Sequence, residues 1–173
     1  MSLFLPVFKA LNAAGSRYVT VGGFAVVMHG YVRLTADIDL VVDLEPEETR
    51  RTIQTLLELG LEPRIPVAAE DFADPEIRKS WIEDKGMQVF SMFDPNNPLL
   101  SVDLFVSYPI PFENLHSRAE TVSVSGVDVR VASLSDLIEI KRAAGRVVDM
   151  QDVEALEEIR RIRRLEQTPR EDQ

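Results

Sequence analysis

The chain has 173 residues, 45% of them hydrophobic and 28% charged, with a net charge of −10, two histidines and no cysteine. Disulfides and thiolate metal sites are excluded, a histidine-rich zinc centre is disfavoured, and so acidic a chain does not present a broad surface for a phosphate backbone. The length suits one ordinary core, and no apolar run reaches the ~20 residues of a membrane span or forms a signal segment, so one cytoplasmic domain over residues 1–167 is expected.

In chain order, Leu3, Val7, Ala10, Leu11 and Ala14 recur at helical spacing and Gly15 stops them. Tyr18 to Val21 reads as the first strand. Gly22 and Gly23 end it, and Phe24 to His29 forms a short helix closed by Gly30. Lacking Cβ atoms, the two glycines let backbone N–H groups approach a phosphate at the start of that helix. Arg33 and Thr35 lead into a second strand, Ile38 to Val42, apolar enough to be internal to a sheet. Asp37 and Asp39 fall on one side of it, about 7 Å apart. Two carboxylates that close repel and resist desolvation unless a cation lies between them. Mg²⁺ answers that need, since it takes one or two carboxylates together with substrate phosphates.

The block from Gly22 to Asp39, Gly-Gly-x-Ala-x-x-x-His-Gly-x-x-Arg-x-Thr-x-Asp-Ile-Asp, resembles the signature of the polymerase-beta-type nucleotidyltransferase superfamily. Its flavour is similar to the small bacterial and archaeal branch that includes abortive-infection and toxin-like enzymes. The resemblance implies an α/β fold, a mixed sheet of about five strands flanked by helices, with C-terminal helices closing one end. It also implies two Mg²⁺ ions, with Mn²⁺ as a substitute, held by Asp37, Asp39 and a third carboxylate on a later strand. A nucleoside triphosphate is the implied substrate, with Gly22, Gly23, Arg33 and Thr35 on the nucleotide. His29 matches the block and is read as holding the glycine turn by a hydrogen bond.

Asp43 ends its strand as a turn or cap residue. Glu45 to Leu59 is an amphipathic helix with Pro46 and acids in its first turn and Gly60 as its stop. Pro63 and Pro66 make an edge strand or irregular link of Leu61 to Val67. Ala68 to Lys85 holds one or two short helices, the second starting at Asp74-Pro75. There Trp81 either packs over a sheet edge, the favoured reading, or offers a base a stacking platform. Met87 to Phe93 is a strand, Asp94 to Pro98 is dense with turn formers, and Ser101 to Ser107 is the next strand.

In Val102-Asp103-Leu104-Phe105-Val106 a carboxylate interrupts a run that should be buried, so Asp103 needs a metal, a hydrogen bond or an ion pair. It best fits the third carboxylate that the resemblance implies; an ion pair with Arg33 or another base is the alternative. Thr121 to Val131 alternates about Ser125-Gly126 as a hairpin. His116 reads as a surface residue.

Ser133-Leu134-Ser135-Asp136 resembles a capping box and starts a helix whose inward face carries Leu134, Leu137, Ile138 and Lys141. An inward lysine needs an anion, unless its stem packs and its ammonium reaches water. By the resemblance, a basic residue here reaches the nucleotide phosphates, which makes Lys141 the fourth catalytic candidate. Asp149 and Asp152 share a face of the last helix, where Asp149 either orients Lys141 or Arg146 or caps the helix. The run Arg160 to Arg164 suits surface pairing with Glu157. Thr168 to Gln173 is expected to be a disordered tail.

The mechanism so implied is nucleotidyl transfer from a triphosphate to an acceptor hydroxyl on tRNA, a protein or a small molecule. Arg33, Lys141, Arg142 and Arg146 would form a basic lip for a tRNA acceptor. A toxin held by an antitoxin, a subunit completed by a partner and a homodimer all fit the resemblance. An inactive nucleotide- or partner-binding domain and a metal-dependent phosphohydrolase are the competing readings.

Overall fold

The computed structural model describes residues 3–167, and the tail expected at Thr168–Gln173 lies outside them. A mixed, open sheet of seven strands forms the centre. The strands are β1 Tyr18–Val21, β2 Ile38–Val42, β3 Glu62–Pro63, β4 Val89–Asp94, β5 Asn97–Phe105, β6 Glu120–Val124 and β7 Val127–Val131, ordered β3-β4-β5-β2-β1-β7-β6. Seven strands stand against the expectation of about five, and three of them lie at the margins. The two-residue β3 pairs with β4 at one edge, and the β6–β7 hairpin extends the other through a parallel contact with β1.

The hairpin turns at Ser125 and Gly126, both at positive φ, as a tight two-residue connection requires. The stretch read as a loop at Asp94 to Pro98 is a second hairpin. Asp94 pairs with Asn97 beside a register irregularity, so β5 starts at Asn97 and not at Ser101. Asn96 N–H donates to the Asp94 carboxylate, so turn chemistry and strand pairing use the same residues.

The helices are α1 Leu5–Ala13, α2 Gly22–Met28, α3 Pro46–Glu58, α4 Pro75–Lys85, α5 Phe112–Arg118, α6 Leu134–Ala144 and α7 Val147–Gln167. Their ends are chemically marked. Asp74 accepts the N–H groups of Glu76 and Ile77 at the start of α4, and Gly86 ends it in the left-handed region. The Ser133 hydroxyl accepts from Asp136 N–H at the start of α6, and Gly145 ends that helix in the same way. Gly145 thereby folds α7 back on α6. Among the described residues no helix is long and apolar enough to cross a membrane.

One core runs along the sheet. Phe8, Tyr18 and Phe24 pack together at its α1 end, while Trp81 stacks on Phe90 with centroids 5.4 Å apart and Phe72 stacks on the same ring. Trp81 is buried, so it packs and is not a platform for a base. Asp43 pairs with Arg17 and accepts Glu45 N–H, the expected cap role. His29 is also buried, but it does not hold the glycine turn. Its Nε2 donates to Ala132 O at 2.8 Å and its Nδ1 accepts from Arg163, which ties α2 to the β7–α6 link and to α7. His116 is half-buried against Phe112.

Candidate active site

Register brings the carboxylates together. β1 and β2 pair Val21 with Asp39, and β2 and β5 pair Asp39 with Asp103, so the two aspartates stand side by side on neighbouring strands. Asp37 lies two residues before Asp39 and shares its face. Burial, then repulsion from Asp103, holds Asp37 above the usual carboxylate range. Asp39 is pushed up to about 6 by burial and by Asp37 and Asp103, against a smaller pull from Lys141 and the Gly23 N–H. Carboxylates this close repel one another and resist desolvation, which accounts for both directions.

The glycines serve this cluster directly. Gly22 has φ +63, and a Cβ there would lie 1.8 Å from Asp39 Oδ2, so the carboxylate occupies the space a side chain would need. At Gly23 a Cβ would meet Thr35 Oγ1 at 2.9 Å and the Arg33 guanidinium at 3.0 Å. The Gly23 N–H, expected to be offered to a phosphate, is engaged by Asp39. Gly22→Ala therefore has two faults, strain at positive φ and displacement of Asp39. It is expected to lower the melting temperature by several degrees, about 2 °C or more per kcal/mol lost, and to abolish metal-dependent triphosphate binding, as thermal melts and calorimetry will read.

Opposite the carboxylates, α6 supplies Lys141, the α6–α7 link supplies Arg146 and the α2–β2 link supplies Arg33. Lys141 is buried, and its Nζ lies 3.2 Å from Asp149 Oδ1 and 2.7 Å from Asp152 Oδ2. Arg33 pairs with Asp152 at 2.5 Å and Arg146 with Asp149 at 2.6 Å. Lys141 thus has the anion its inward position demanded, and does not reach water. Arg33 pairs with Asp152 and not with Asp103. Asp149 orients both Lys141 and Arg146. Three cations against two carboxylates leave one positive charge facing the three acidic residues across the cleft. Arg142 is turned away, paired with Glu157, and does not join the lip.

These residues line a cleft of about 820 Å³ that holds Gly22, Gly23, Arg33, Thr35, Asp37, Asp39, Asp103 and Lys141, all eight positions expected from sequence. Asp152, Phe105 and Tyr108 were not read as site residues. A second acid three positions after Asp149, on the same helical face, was the signal for Asp152; the two aromatics look like core.

The sequence matches the family described as Nucleotidyltransferase of unknown function (DUF6036) over residues 7–164. The chain belongs to this nucleotidyltransferase family. No curated protein sequence matches it. Among solved structures it is similar to the lincosamide antibiotic adenylyltransferase LnuA bound to lincomycin, with a TM-score of 0.63 and 14% identity over 92% of this chain and 97% of that one. It is also similar to ANT(2″)-Ia in complex with adenylyl-2″-tobramycin, with a TM-score of 0.58 and 14% identity over 95% of this chain and 94% of that one. A nucleotidyltransferase from Thermotoga maritima has a TM-score of 0.55 and 12% identity over 86% of both chains. At such identities the likeness is one of fold.

The donor set also bears on a metal. Among the described residues, no three histidine, cysteine or acidic side chains converge into a ready-made metal cage. Asp37 just before β2, with Asp39 and Asp103 on the adjoining strands β2 and β5, would fit a hard cation that brings substrate oxygens to complete its shell.

Proposed function

We propose that the chain transfers a nucleoside monophosphate from a triphosphate to an acceptor hydroxyl with the help of Mg²⁺. The observation that carries this is the cleft itself, with Asp37, Asp39 and Asp103 on the sheet facing Lys141, Arg33 and Arg146. A divalent cation held by the three aspartates would neutralise phosphate oxygens and lower the pKa of the attacking hydroxyl.

The chain's own residues do the rest. Lys141, Arg33 and Arg146 form the positive side that receives the β- and γ-phosphates and the departing pyrophosphate. Gly22 makes room for the Asp39 carboxylate and Gly23 for Thr35 and Arg33, and Thr35, which donates to Asp37 O at 3.2 Å, holds the strand entrance. The bond from the α-phosphorus to the bridging oxygen breaks as the acceptor oxygen bonds to the same phosphorus, and the hydroxyl proton leaves to water. No histidine or cysteine is needed.

Calorimetry of each nucleoside triphosphate with Mg²⁺ tests this, on the native chain and on Asp37→Ala/Asp39→Ala. Binding that needs both the metal and the carboxylates is expected, with pyrophosphate as the released product. Binding indifferent to the substitutions would remove the transferase reading, and orthophosphate as product would make the protein a phosphohydrolase.

A further inference from the structure

In-line displacement at a phosphorus places the attacking hydroxyl opposite the leaving group. The leaving end of this cleft is the one with Gly22, Gly23 and the three cations. The opposite end follows from strand register. Phe105 lies two residues beyond Asp103 on the same face of β5, and β4 pairs Val89 with Phe105. From Gly22, on which Asp39 packs, the cleft passes Asp39 and Asp103 on neighbouring strands and ends at Phe105 and Val89.

The chemistry of that end differs from the rest. Its lining is Gln88, Val89, Phe105, Ser107, Tyr108 and Pro109, with no acid or base. The Phe105 and Tyr108 rings meet edge to face at 5.1 Å. Every charged side chain lining the cleft belongs to the three carboxylates or to the cationic end, where Asp149 is already taken by Lys141 and Arg146.

Resting on the transferase reading above, we propose that this neutral aromatic wall is the acceptor subsite, and that the acceptor is a hydroxyl on an uncharged, partly apolar small molecule. A polycation laid against the wall would reach Asp37, Asp39 and Asp103 only in competition with the divalent cation, and its remaining desolvated charges would stay unpaired. A polyanion would compete with the triphosphate for Lys141, Arg33 and Arg146. An uncharged amphipathic body loses nothing there: its apolar part covers Val89 and Phe105, and its polar groups meet Gln88, Ser107 and the Tyr108 hydroxyl. The hydroxyl oxygen then forms its bond to the α-phosphorus, pyrophosphate leaves toward Lys141, and the proton goes to water.

Three probes of different charge test the wall: n-octyl β-D-glucoside below its micelle concentration, tobramycin and bulk tRNA. Their binding is read by saturation-transfer NMR with an α,β-methylene triphosphate in the cleft, and transfer is read from α-labelled triphosphates. The expected result is contact of the octyl protons with the protein, and labelling of the glucoside at least about tenfold faster than of tobramycin or tRNA. Phe105→Ala is expected to lower kcat/KM for the glucoside by about tenfold with triphosphate affinity unchanged. Val89→Glu is expected to shift preference toward tobramycin by about tenfold. Preferred labelling of tobramycin or tRNA by the native chain overturns the proposal, as does triphosphate binding without any contact to the glucoside. Absence of triphosphate binding would instead overturn the transferase reading and take the acceptor wall with it.

Discussion

Replacing Asp39 by Asn is expected to raise the stability of the metal-free protein while abolishing transfer. Asp39 sits between Asp37 and Asp103 with its carboxyl pushed up to about 6, first by burial and then by those two neighbours. A group whose folded-state value exceeds its ordinary 3.8 takes up a proton on folding between the two values. Stability therefore falls as pH rises from about 4 to about 6, and stays at the lower level above that. The interval corresponds to at most about 3 kcal/mol. Asp39 is only half-buried, so solvent screening brings the expected gain nearer 1–2 kcal/mol, or about 2–6 °C in melting temperature for a chain of this size.

Melting temperatures of the native chain and Asp39→Asn in chelator should coincide near pH 4 and separate by pH 6.5, with the variant higher. Adding Mg²⁺ with triphosphate should reverse the order, because only the native chain binds them. Transfer by the variant is expected to fall by about 10³-fold or more. A variant less stable than the native chain at pH 7 would mean that an internal partner satisfies Asp39, and that its charge is structural.

How much of this was legible in the sequence depended on whether a residue broke the local pattern. Asp37, Asp39 and Asp103 are acids within apolar runs, and Gly22-Gly23 is a backbone signal, so each carries its own mark. The strands at Val89–Asp94 and Asn97–Phe105 were legible, but not the point where β5 begins, because Asp94 and Asn97 are turn formers that also pair as strand residues. Lys141 was legible from helical spacing and Asp149 as one of two readings, whereas Asp152 as a partner was not. Whether Asp149 or Asp152 reaches it depends on how Gly145 folds α7 back on α6, and the Arg33–Asp152 pair joins residues 119 positions apart. The wall proposed for the acceptor carried no mark at all, since apolar and aromatic residues such as Val89, Phe105 and Tyr108 do not break the pattern around them.

Lys141→Met is expected to cost stability and to lower activity for separable reasons. The ammonium is buried between Asp149 and Asp152, each 1% exposed, so its removal takes half of a buried ion cluster. Breaking a buried pair outright costs about 3–5 kcal/mol. Here Asp152 keeps Arg33 and Asp149 keeps Arg146, which brings the expected loss nearer 2–3 kcal/mol, or about 4–10 °C. Burial raises the Asp149 carboxyl, but hydrogen bonds from Arg146 and Lys141 and their charges outweigh it and hold the group below its ordinary 3.8. Its contribution to stability is therefore complete above that value and lost as pH falls below it, a window separate from that of Asp39. Substituting Asp152 by Asn as well should recover part of the stability, because one fewer carboxylate then lacks its lysine. Transfer should not return with it: the cleft would still lack the charge that faces the departing pyrophosphate, and kcat/KM should stay down by about 10²-fold. Recovery of both together would assign Lys141 a positioning role only, and leave the phosphates to Arg33 and Arg146.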